Sequence, residues 1–270
     1  MTDEKQKVRN FYDQIGWSQE ENGLYQNARY EDLRPVSAEY IHKCHLRVNR
    51  HLAHEGKYLL DAGSGPVQWP EYLTYSEKYQ YRVCADISIT ALQEARTRLG
   101  ERGLYVVADI ANLPFKQDAF DGVVSMHAIH HLPLSEHRKA YLELLRTLRP
   151  GKSGVVVNGW YRPLIARLTR PFIQLGRLLS GRPLLKESKV DIEGTFVDKM
   201  TPGWFKSEMT GYLDYKILVW RSLSPRILMN FINPRLGGKF ILSIFYWLEE
   251  KLPTFFGTIG VYPLIVFKKD

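Results

Sequence analysis

The chain has 270 residues, of which 44% are hydrophobic and 24% charged, a balance typical of a globular protein with a sizeable core. Its two cysteines, Cys44 and Cys84, have no metal-binding spacing, which argues against a disulfide scaffold or a metal site and fits a reducing, cytoplasmic compartment. The N-terminal sequence MTDEKQKVRN lacks a signal-peptide core, and no apolar run approaches the roughly 20 residues that cross a bilayer.

The net charge of +8 is distributed unevenly along the chain. Residues 1–159 contain 20 Lys or Arg and 20 Asp or Glu, whereas residues 160–270 contain 17 and 9, so the whole excess lies in the C-terminal part. This asymmetry indicates an anionic partner there: an acidic substrate, a membrane surface or nucleic acid. A basic face that is merely solvated is the alternative.

Hydrophobic periodicity divides the chain into four parts. Residues 1–56 are predicted to form an N-terminal helical cap. Strands and helices alternate over residues 57–159, which predicts a parallel sheet with helices on both faces and a ligand site at the carboxyl ends of the strands. The strands of this part are expected at Tyr58–Asp61, Tyr81–Asp86, Leu104–Ala108, Gly122–Ser125 and Gly154–Asn158.

The C-terminal parts interrupt this alternation. Residues 160–200 are both basic and apolar, which predicts an amphipathic insert whose helix is broken at Pro171. Residues 201–270 are expected to supply strands six and seven, an antiparallel pair, with an apolar helical insert between them at residues 223–258.

A glycine-punctuated turn, Asp61-Ala62-Gly63-Ser64-Gly65-Pro66, follows the first predicted strand and opens onto a helix expected from Val67 to about Tyr75. Glycine reaches backbone angles that a Cβ forbids and lets a ligand lie against main-chain N–H groups. Asp86 follows Gly65 by 21 positions, at the end of the next strand, where a carboxylate can accept hydrogen bonds from ribose hydroxyls. Alternatively it caps the next predicted helix, Ile89 to Leu99, a role that Ser88 could also fill.

Two further carboxylates lie at predicted strand ends. Asp109 is placed to accept from an adenine amino group or to cap a loop, and Asp61 to face an ammonium group or to stabilise the turn. With these residues in order, the sequence resembles the class I S-adenosylmethionine-dependent methyltransferases, most of all those acting on small molecules, quinones and lipids. The resemblance covers about Lys57 to Asn158 and is carried by Leu-Leu-Asp-Ala-Gly-Ser-Gly, Ala-Asp-Ile-Ser, Ala-Asp-Ile with Leu-Pro-Phe and Phe-Asp, His-Ala-Ile-His-His-Leu and Leu-Arg-Pro-Gly-Lys.

The resemblance implies a doubly wound, Rossmann-like α/β sheet of seven strands with strand seven antiparallel. It also implies a site for S-adenosyl-L-methionine, with S-adenosyl-L-homocysteine as product. In this resemblance, the methionine end of the cofactor is held by Asp61, Gly63, Ser64 and Gly65, and its ribose by Asp86 and Ile87. The adenine lies beside Asp109 and Ile110, and the sulfonium beside Met126 and His127. Val67 stands where the family usually has a third glycine, so a stiffer turn is expected.

Three histidines follow the fourth predicted strand. Transfer to an oxygen requires an aligned acceptor, exclusion of water and removal of a proton, and histidine is the natural base near neutral pH. His130 or His131 is the expected base, with capping of the next helix as the alternative. Tyr12 and Tyr25 of the cap are expected to close over the cofactor or to pack in the core.

The expected function is methyl transfer to a small or lipid-like acceptor, at oxygen, in the cytoplasm or at an anionic membrane surface. The alternatives are an N-methyltransferase of a small amine or sugar and a non-catalytic binding module with the same fold. Nucleic acid is disfavoured, since the sequence lacks an Asn-Pro-Pro-Tyr motif and neither cysteine is placed as a nucleophile. A nicotinamide site is disfavoured because the glycine loop is not G-x-G-x-x-G.

Overall fold

The computed structural model describes residues 2–18, 25–53, 55–181, 183 and 195–270. Over this part of the chain, seven strands form one mixed sheet with the order β3-β2-β1-β4-β5-β7-β6. β1 to β5 pair in parallel, whereas β7 is antiparallel to both of its neighbours, which confirms the expected fold class. The strands are β1 Gly56–Ala62, β2 Tyr79–Asp86, β3 Gly103–Val107, β4 Gly122–Met126, β5 Ser153–Val157, β6 Asp214–Arg221 and β7 Tyr262–Lys268.

Helices cover both faces of the sheet, and further helices pack together beside it. The α-helices of the described residues are α1 Asp3–Phe11, α2 Pro35–Leu46, α3 Pro70–Thr74, α4 Ile89–Leu99, α5 Leu134–Thr147, α6 Leu164–Leu179, α7 Pro202–Met209, α8 Pro225–Phe231, α9 Gly238–Lys251 and α10 Pro253–Ile259. A π-helical turn, Tyr12–Gly16, continues α1. None of these helices is long and apolar enough to cross a membrane, over the residues that the structure describes.

The central strands are apolar on both sides because helices cover both sheet faces. Leu60, Val123 and Val156 pack on one face against side chains of α5 and α7. Leu59 and Val124 pack on the other face with residues of α3 and α4. A third apolar cluster lies outside the sheet, where α2, α8 and α9 meet and where α6 contributes Ile165 and Ala166.

A buried polar network fixes the C-terminal insert to the N-terminal helices. The carboxylate of Glu249 on α9 accepts hydrogen bonds from Arg47 Nη1 at 2.9 Å, from the Tyr40 hydroxyl at 2.7 Å and from the Ser222 backbone N–H at 2.9 Å. A buried carboxylate without such donors would be strongly destabilising. The network therefore holds α9 in one position relative to α2 and the end of β6.

Two helices differ from the sequence-based expectation. The helix expected to begin at Val67 begins at Pro70, because a residue before proline avoids the helical region, and Trp69 is extended with φ −98° and ψ 142°. The break expected at Pro171 is absent, since α6 continues through this residue. Proline removes one N–H donor, and the carbonyl four residues earlier belongs to the exposed Arg167, where water can replace the lost bond.

Candidate active site

The glycine loop lies at the carboxyl ends of β1 and β4. Gly63 and Gly65 have φ of 72° and 53°, the left-handed region that favours glycine. A Cβ on Gly63 would lie 2.1 Å from the Cβ of Ala128, so this position has no room for a side chain. The Gly63 N–H donates to the Ala85 carbonyl at 2.7 Å, which joins the loop to β2.

Val67, at the position of the family's third glycine, also has a positive φ, of 53°. This conformation is rare for a β-branched residue. The Val67 side chain is fully buried in the cluster beneath the sheet, and its packing offsets the backbone strain. Val67 thus adopts a backbone conformation that glycine would favour at this position.

Asp86 joins the end of β2 to the glycine loop. Its carboxylate accepts from the Gly65 N–H at 2.8 Å and from the Ser88 N–H at 2.9 Å. The cap of α4 is Ser88, whose Oγ accepts from the Ala91 N–H at 3.1 Å, so Asp86 is not the capping side chain. Burial raises the pKa of Asp86 to about 6, because hydrogen bonds from two backbone N–H groups do not offset the loss of water.

Asp109, at the end of the segment after β3, is anchored by a residue of the N-terminal helix. Its Oδ2 accepts from Lys5 Nζ at 2.6 Å and from Asn112 Nδ2 at 2.8 Å, and its Oδ1 accepts from the Ala111 N–H at 2.9 Å. Burial opposes ionisation, but these donors outweigh it and lower the pKa of Asp109. Lys5 also pairs with Glu136, so α1 is tied to this corner of the sheet by two carboxylates.

Asp61 does not line the cavity, although the sequence predicts a ligand contact for it. Alternation along β1 turns its side chain to the sheet face opposite Leu60. There it is buried against Arg82, whose Nε donates to Oδ2 at 2.9 Å. In this geometry the Asp61 carboxylate pairs with Arg82 and does not face the cavity.

The segment that follows α1 covers the glycine loop. The indole of Trp17 stacks on the Tyr12 ring, with centroids 5.0 Å apart, and a Cβ on Gly65 would lie 3.0 Å from Trp17 Cζ2. Trp17 Nε1 is buried without a hydrogen-bond partner among the described residues. Tyr25 lies behind Trp17, outside the cavity lining, with its hydroxyl donating to Glu94 at 3.0 Å.

The three histidines after β4 lie together, and their hydrogen bonds distinguish them. His131 Nδ1 donates to the Phe196 carbonyl at 2.8 Å, and its Nε2 accepts from the Tyr12 hydroxyl at 2.9 Å, so both nitrogens are occupied. His130 Nδ1 donates to Asn158 Oδ1 at 3.2 Å, and its Nε2 has no hydrogen-bond partner among the described residues. Only His130 therefore has an unshared ring nitrogen as potential base within this pair.

All three rings are held neutral. Burial, with Arg221 nearby, lowers the pKa of His127 to about 3, and burial lowers that of His131 to about 4. Burial, the neighbouring His131 ring and the positive charge of Lys199 hold the pKa of His130 well below its usual range. The backbone of His127 is strained, with φ 56°, and its backbone N–H donates to the Val157 carbonyl at 2.7 Å. In this conformation the His127 ring contacts Trp220 and Tyr262.

One cavity of about 1470 Å³ connects these groups. Its volume exceeds the roughly 300–1,000 Å³ of a site for one small molecule, which leaves room for a cofactor and an acceptor together. Of the residues that the sequence singles out, the cavity brings together Tyr12, Gly63, Ser64, Gly65, Asp86, Ile87, Asp109, Ile110, Met126, His127, His130 and His131.

The cavity also contains residues that sequence reasoning missed. Lys5, Trp17 and Lys199 all line it. Lys5 and Trp17 belong to the N-terminal cap, and Lys199 to the insert, so their positions depend on tertiary packing. For Lys5 the sequence contains one signal, because this residue precedes Val8 by three positions and so lies on the apolar, buried face of α1.

S-adenosylmethionine fits the residues that are present. The glycine loop offers a close backbone approach, Asp86 is a buried carboxylate without a cationic partner in the described chain, and the unpaired Trp17 Nε1 lies beside the loop. Apolar side chains, among them Ile87 and Ile110, complete this half of the cavity. These features suit a ligand that combines an aromatic base, a ribose and a charged end.

Comparison with known proteins also indicates a methyltransferase. Residues 60–156 match the family model described as a methyltransferase domain. The geranyl diphosphate C-methyltransferase of Streptomyces coelicolor A3(2), solved with Mg²⁺, geranyl diphosphate and S-adenosyl-L-homocysteine, superposes with a TM-score of 0.59 at 14% identity. That match covers 100% of this chain and 99% of the other, and it shows a shared fold.

Curated relatives match over shorter stretches. A probable tRNA methyltransferase 9B of Bos taurus is 30% identical over 125 residues, 45% of this chain and 26% of that protein. Phthiotriol/phenolphthiotriol dimycocerosates methyltransferase 1 of Mycobacterium ulcerans is 30% identical over 183 residues, 63% of this chain and 64% of that protein. The chain thus spans about a quarter of the first relative. Fold, matched domain and relatives together support a class I S-adenosylmethionine-dependent methyltransferase.

Proposed function

We propose that this chain transfers a methyl group from S-adenosylmethionine to an oxygen of a small, lipid-like acceptor. The observation that carries the proposal is the shared cavity, in which the glycine loop, the histidines and an apolar, basic chamber adjoin one another. The cofactor supplies a methyl group made electrophilic by positively charged sulfur.

The cofactor would be held by residues of the sheet edge and the cap. Gly63, Ser64 and Gly65 would accommodate its methionine end, and Asp86 its ribose hydroxyls. Asp109 and Ile110 would flank the adenine, next to Lys5. Tyr12 and Trp17 would exclude water from the glycine loop, because their stacked rings cover it.

His130 is the better candidate for the general base. Its Nε2 is free to accept a proton from an acceptor hydroxyl, whereas both nitrogens of His131 are engaged. Asn158 would orient the His130 ring through Nδ1. His131 and Tyr12 would then position the cap over the cofactor.

The far half of the cavity favours a lipid-like acceptor. Its wall combines bulky apolar side chains from the segment after β5 and from α6, α7 and α8, namely Trp160, Ile173, Trp204, Ile227 and Met229. Such a wall suits an apolar chain better than an RNA backbone. Of the two curated relatives described above, the longer match is to the phthiotriol/phenolphthiotriol dimycocerosates methyltransferase and not to the tRNA methyltransferase, which supports the same choice.

Labelled methyl transfer tests the proposal. Tritiated S-adenosylmethionine is incubated with the protein and, separately, with a total lipid extract and total RNA from the source organism. We expect label in an O-methylated, solvent-extractable product located by mass spectrometry. Label in RNA, or on nitrogen of a water-soluble amine, would overturn the assignment of the acceptor, and absence of transfer to any fraction despite cofactor binding would favour a binding module.

An anionic membrane surface is the proposed location of this reaction. α6 exposes a stripe of large apolar side chains, Leu164, Leu168, Phe172, Leu175, Leu178 and Leu179, of which Leu179 is 80% exposed. Basic residues, including Arg167 and Arg177, are interleaved with the stripe. Apolar residues with flanking cations are typical of helices that lie in the interface of anionic lipids.

A further inference from the structure

The chamber beyond the cofactor half of the cavity contains cations from three separate segments. Lys199 precedes α7, Arg167 belongs to α6, and Arg226 lies in the first turn of α8. Arg167 and Arg226 are exposed as well as lining the cavity, so they lie where it opens. Three segments that are distant in sequence thus direct positive charge into one space.

Lys199 lies next to the reacting edge of the sheet. A Cβ on Gly159, two residues after β5, would be 3.3 Å from Lys199 Nζ. The positive charge of Lys199 contributes to the low pKa values of His127, His130 and His131. Its ammonium therefore lies close to the place where an acceptor oxygen must meet the methyl group.

Lys199 is half-buried, and it differs from the buried arginines of the described chain in having no acidic partner. Arg47 pairs with Glu249, Arg82 with Asp61, and Arg221 with Glu31. Lys199 forms no hydrogen bond or ion pair with any described residue, and burial together with repulsion from Arg226 lowers its pKa. Because buried charges are normally paired, an unpaired lysine in a cavity indicates a missing anion.

The acidic side chains that line the same cavity do not fill this role. Glu31 accepts from Arg221 Nη1 at 2.7 Å, and Asp198 accepts from the Leu134 N–H at 3.0 Å. Asp86 and Asp109 lie in the cofactor half of the cavity, where Asp86 accepts from the Gly65 N–H and Asp109 accepts from Lys5 Nζ. No described acidic residue therefore supplies the missing anion, and a ligand is the candidate that we consider.

We propose that the acceptor is an amphipathic anion, whose phosphate or carboxylate group binds between Lys199, Arg226 and Arg167 and whose apolar chain lies against Trp160, Ile173 and Met229. This inference rests on the proposed function, since it names the acceptor class of the same site. Phosphate and carboxylate oxygens form strong charge-assisted hydrogen bonds with lysine and arginine. The apolar wall accounts for the chain, which a free phosphate ion lacks.

The arrangement also has a consequence for the base. A bound anion neutralises Lys199 and so removes one of the charges that hold down the pKa of His130. The acceptor would thereby strengthen the base that deprotonates it. In the absence of acceptor, His130 stays neutral and weakly basic.

Calorimetry with defined probes tests the proposal on protein saturated with S-adenosylhomocysteine. The probes are decyl phosphate, inorganic phosphate, decanol and decyltrimethylammonium, each below any micelle-forming concentration. We expect decyl phosphate to bind at least about tenfold more tightly than each of the others, because it alone satisfies both the cations and the apolar wall. Equal binding of decanol or decyltrimethylammonium would overturn the anionic site, and equal binding of inorganic phosphate would overturn the amphipathic ligand.

Substitutions locate the binding to the named cations. Lys199→Met should weaken decyl phosphate binding about 10-fold to 100-fold, since it removes a charged donor but keeps the chain length. Lys206→Met, an exposed lysine on α7 outside the cavity, is the matched control and should have no effect. Unchanged affinity in Lys199→Met would contradict the proposal.

Two further readouts separate the ways in which the account can fail. Thermal unfolding should show Lys199→Met as stable as the wild type or more so, because the substitution removes an unpaired, half-buried charge. If S-adenosylhomocysteine does not bind, the proposed function itself fails. If it binds while decyl phosphate does not, the cofactor assignment stands and the anionic acceptor is wrong.

Discussion

Asp86 connects the glycine loop, the end of β2 and the cofactor half of the cavity. We expect Asp86→Asn to weaken binding of S-adenosylhomocysteine by about 1.5–3 kcal/mol, the range for hydrogen bonds to a charged group. Asp214→Asn is the matched control, because Asp214 is exposed at the opposite end of the sheet. Equal dissociation constants for the two variants in calorimetry would contradict the ribose assignment.

The raised pKa of Asp86 predicts a pH dependence of cofactor affinity. As the pH falls through about 6, the carboxylate becomes protonated and accepts hydrogen bonds less well. The dissociation constant of S-adenosylhomocysteine should therefore rise by up to about tenfold per pH unit below the pKa. Titrations at several pH values should show this slope in the wild type and its absence in Asp86→Asn, and a flat wild-type profile would refute the assignment.

His130 should matter for turnover and little for cofactor binding. His130→Ala is expected to lower kcat about 10²–10⁴-fold, the usual contribution of a general base, with an unchanged dissociation constant for S-adenosylhomocysteine. His42→Ala, an exposed histidine on α2, serves as control. A loss below tenfold in the methyl-transfer assay would indicate that His130 only shapes the loop.

Sequence reasoning could place the residues at the ends of predicted strands, because a parallel sheet brings those ends to one edge. Asp86, Asp109 and the histidines were placed at this edge in this way, and they line the cavity there. Asp61 could not be placed, since whether its side chain faces the ligand or the helices depends on strand alternation at the last residues of β1. Lys199 was missed because its position requires knowledge of how the insert folds back.

At the level of elements, α6 is expected to dock on anionic membranes. Phe172 and Leu175 are 66% and 54% exposed, so Phe172→Glu combined with Leu175→Glu should leave the fold stable while abolishing insertion of this face. In liposome flotation at low salt, the wild type should float with phosphatidylglycerol vesicles and the double variant should not. Leu33→Glu combined with Leu104→Glu, at residues that are 49% and 41% exposed, controls for the two added charges.

Two outcomes would contradict the membrane assignment. Failure of the wild type to float with anionic vesicles would remove it, as would equal flotation of the wild type and the double variant. High salt should weaken the association, because the contribution of Arg167 and Arg177 is screened.

The elements themselves were predicted with uneven success. The position of α4, Ile89–Leu99, and the cores of the strands follow from clear periodicity and caps. α3 and α6 were misjudged, because both depend on prolines whose effect varies with position in the helix. Pro70 begins a helix, whereas Pro171 is accommodated within one.

At the scale of the molecule, the alternation of strands and helices predicts the sheet, and the sheet predicts the edge at which ligands bind. The enclosure of that edge could not be predicted, since it depends on long-range contacts. Lys5 reaches Asp109 across 104 positions of sequence, and Tyr12 reaches His131 across 119. The cap and the inserts thereby convert an open sheet edge into a cavity. The division of the chain into a cap, a core and two inserts stays a prediction.

The central claim is that this cavity holds S-adenosylmethionine, and titration of the wild-type protein with S-adenosylhomocysteine tests it most directly. Calorimetry should show saturable binding to one site per chain. Thermal unfolding should be shifted upward, with a stabilisation of about 2.7 kcal/mol at a ligand concentration 100 times the dissociation constant. No heat and no thermal shift at millimolar S-adenosylhomocysteine would contradict the account.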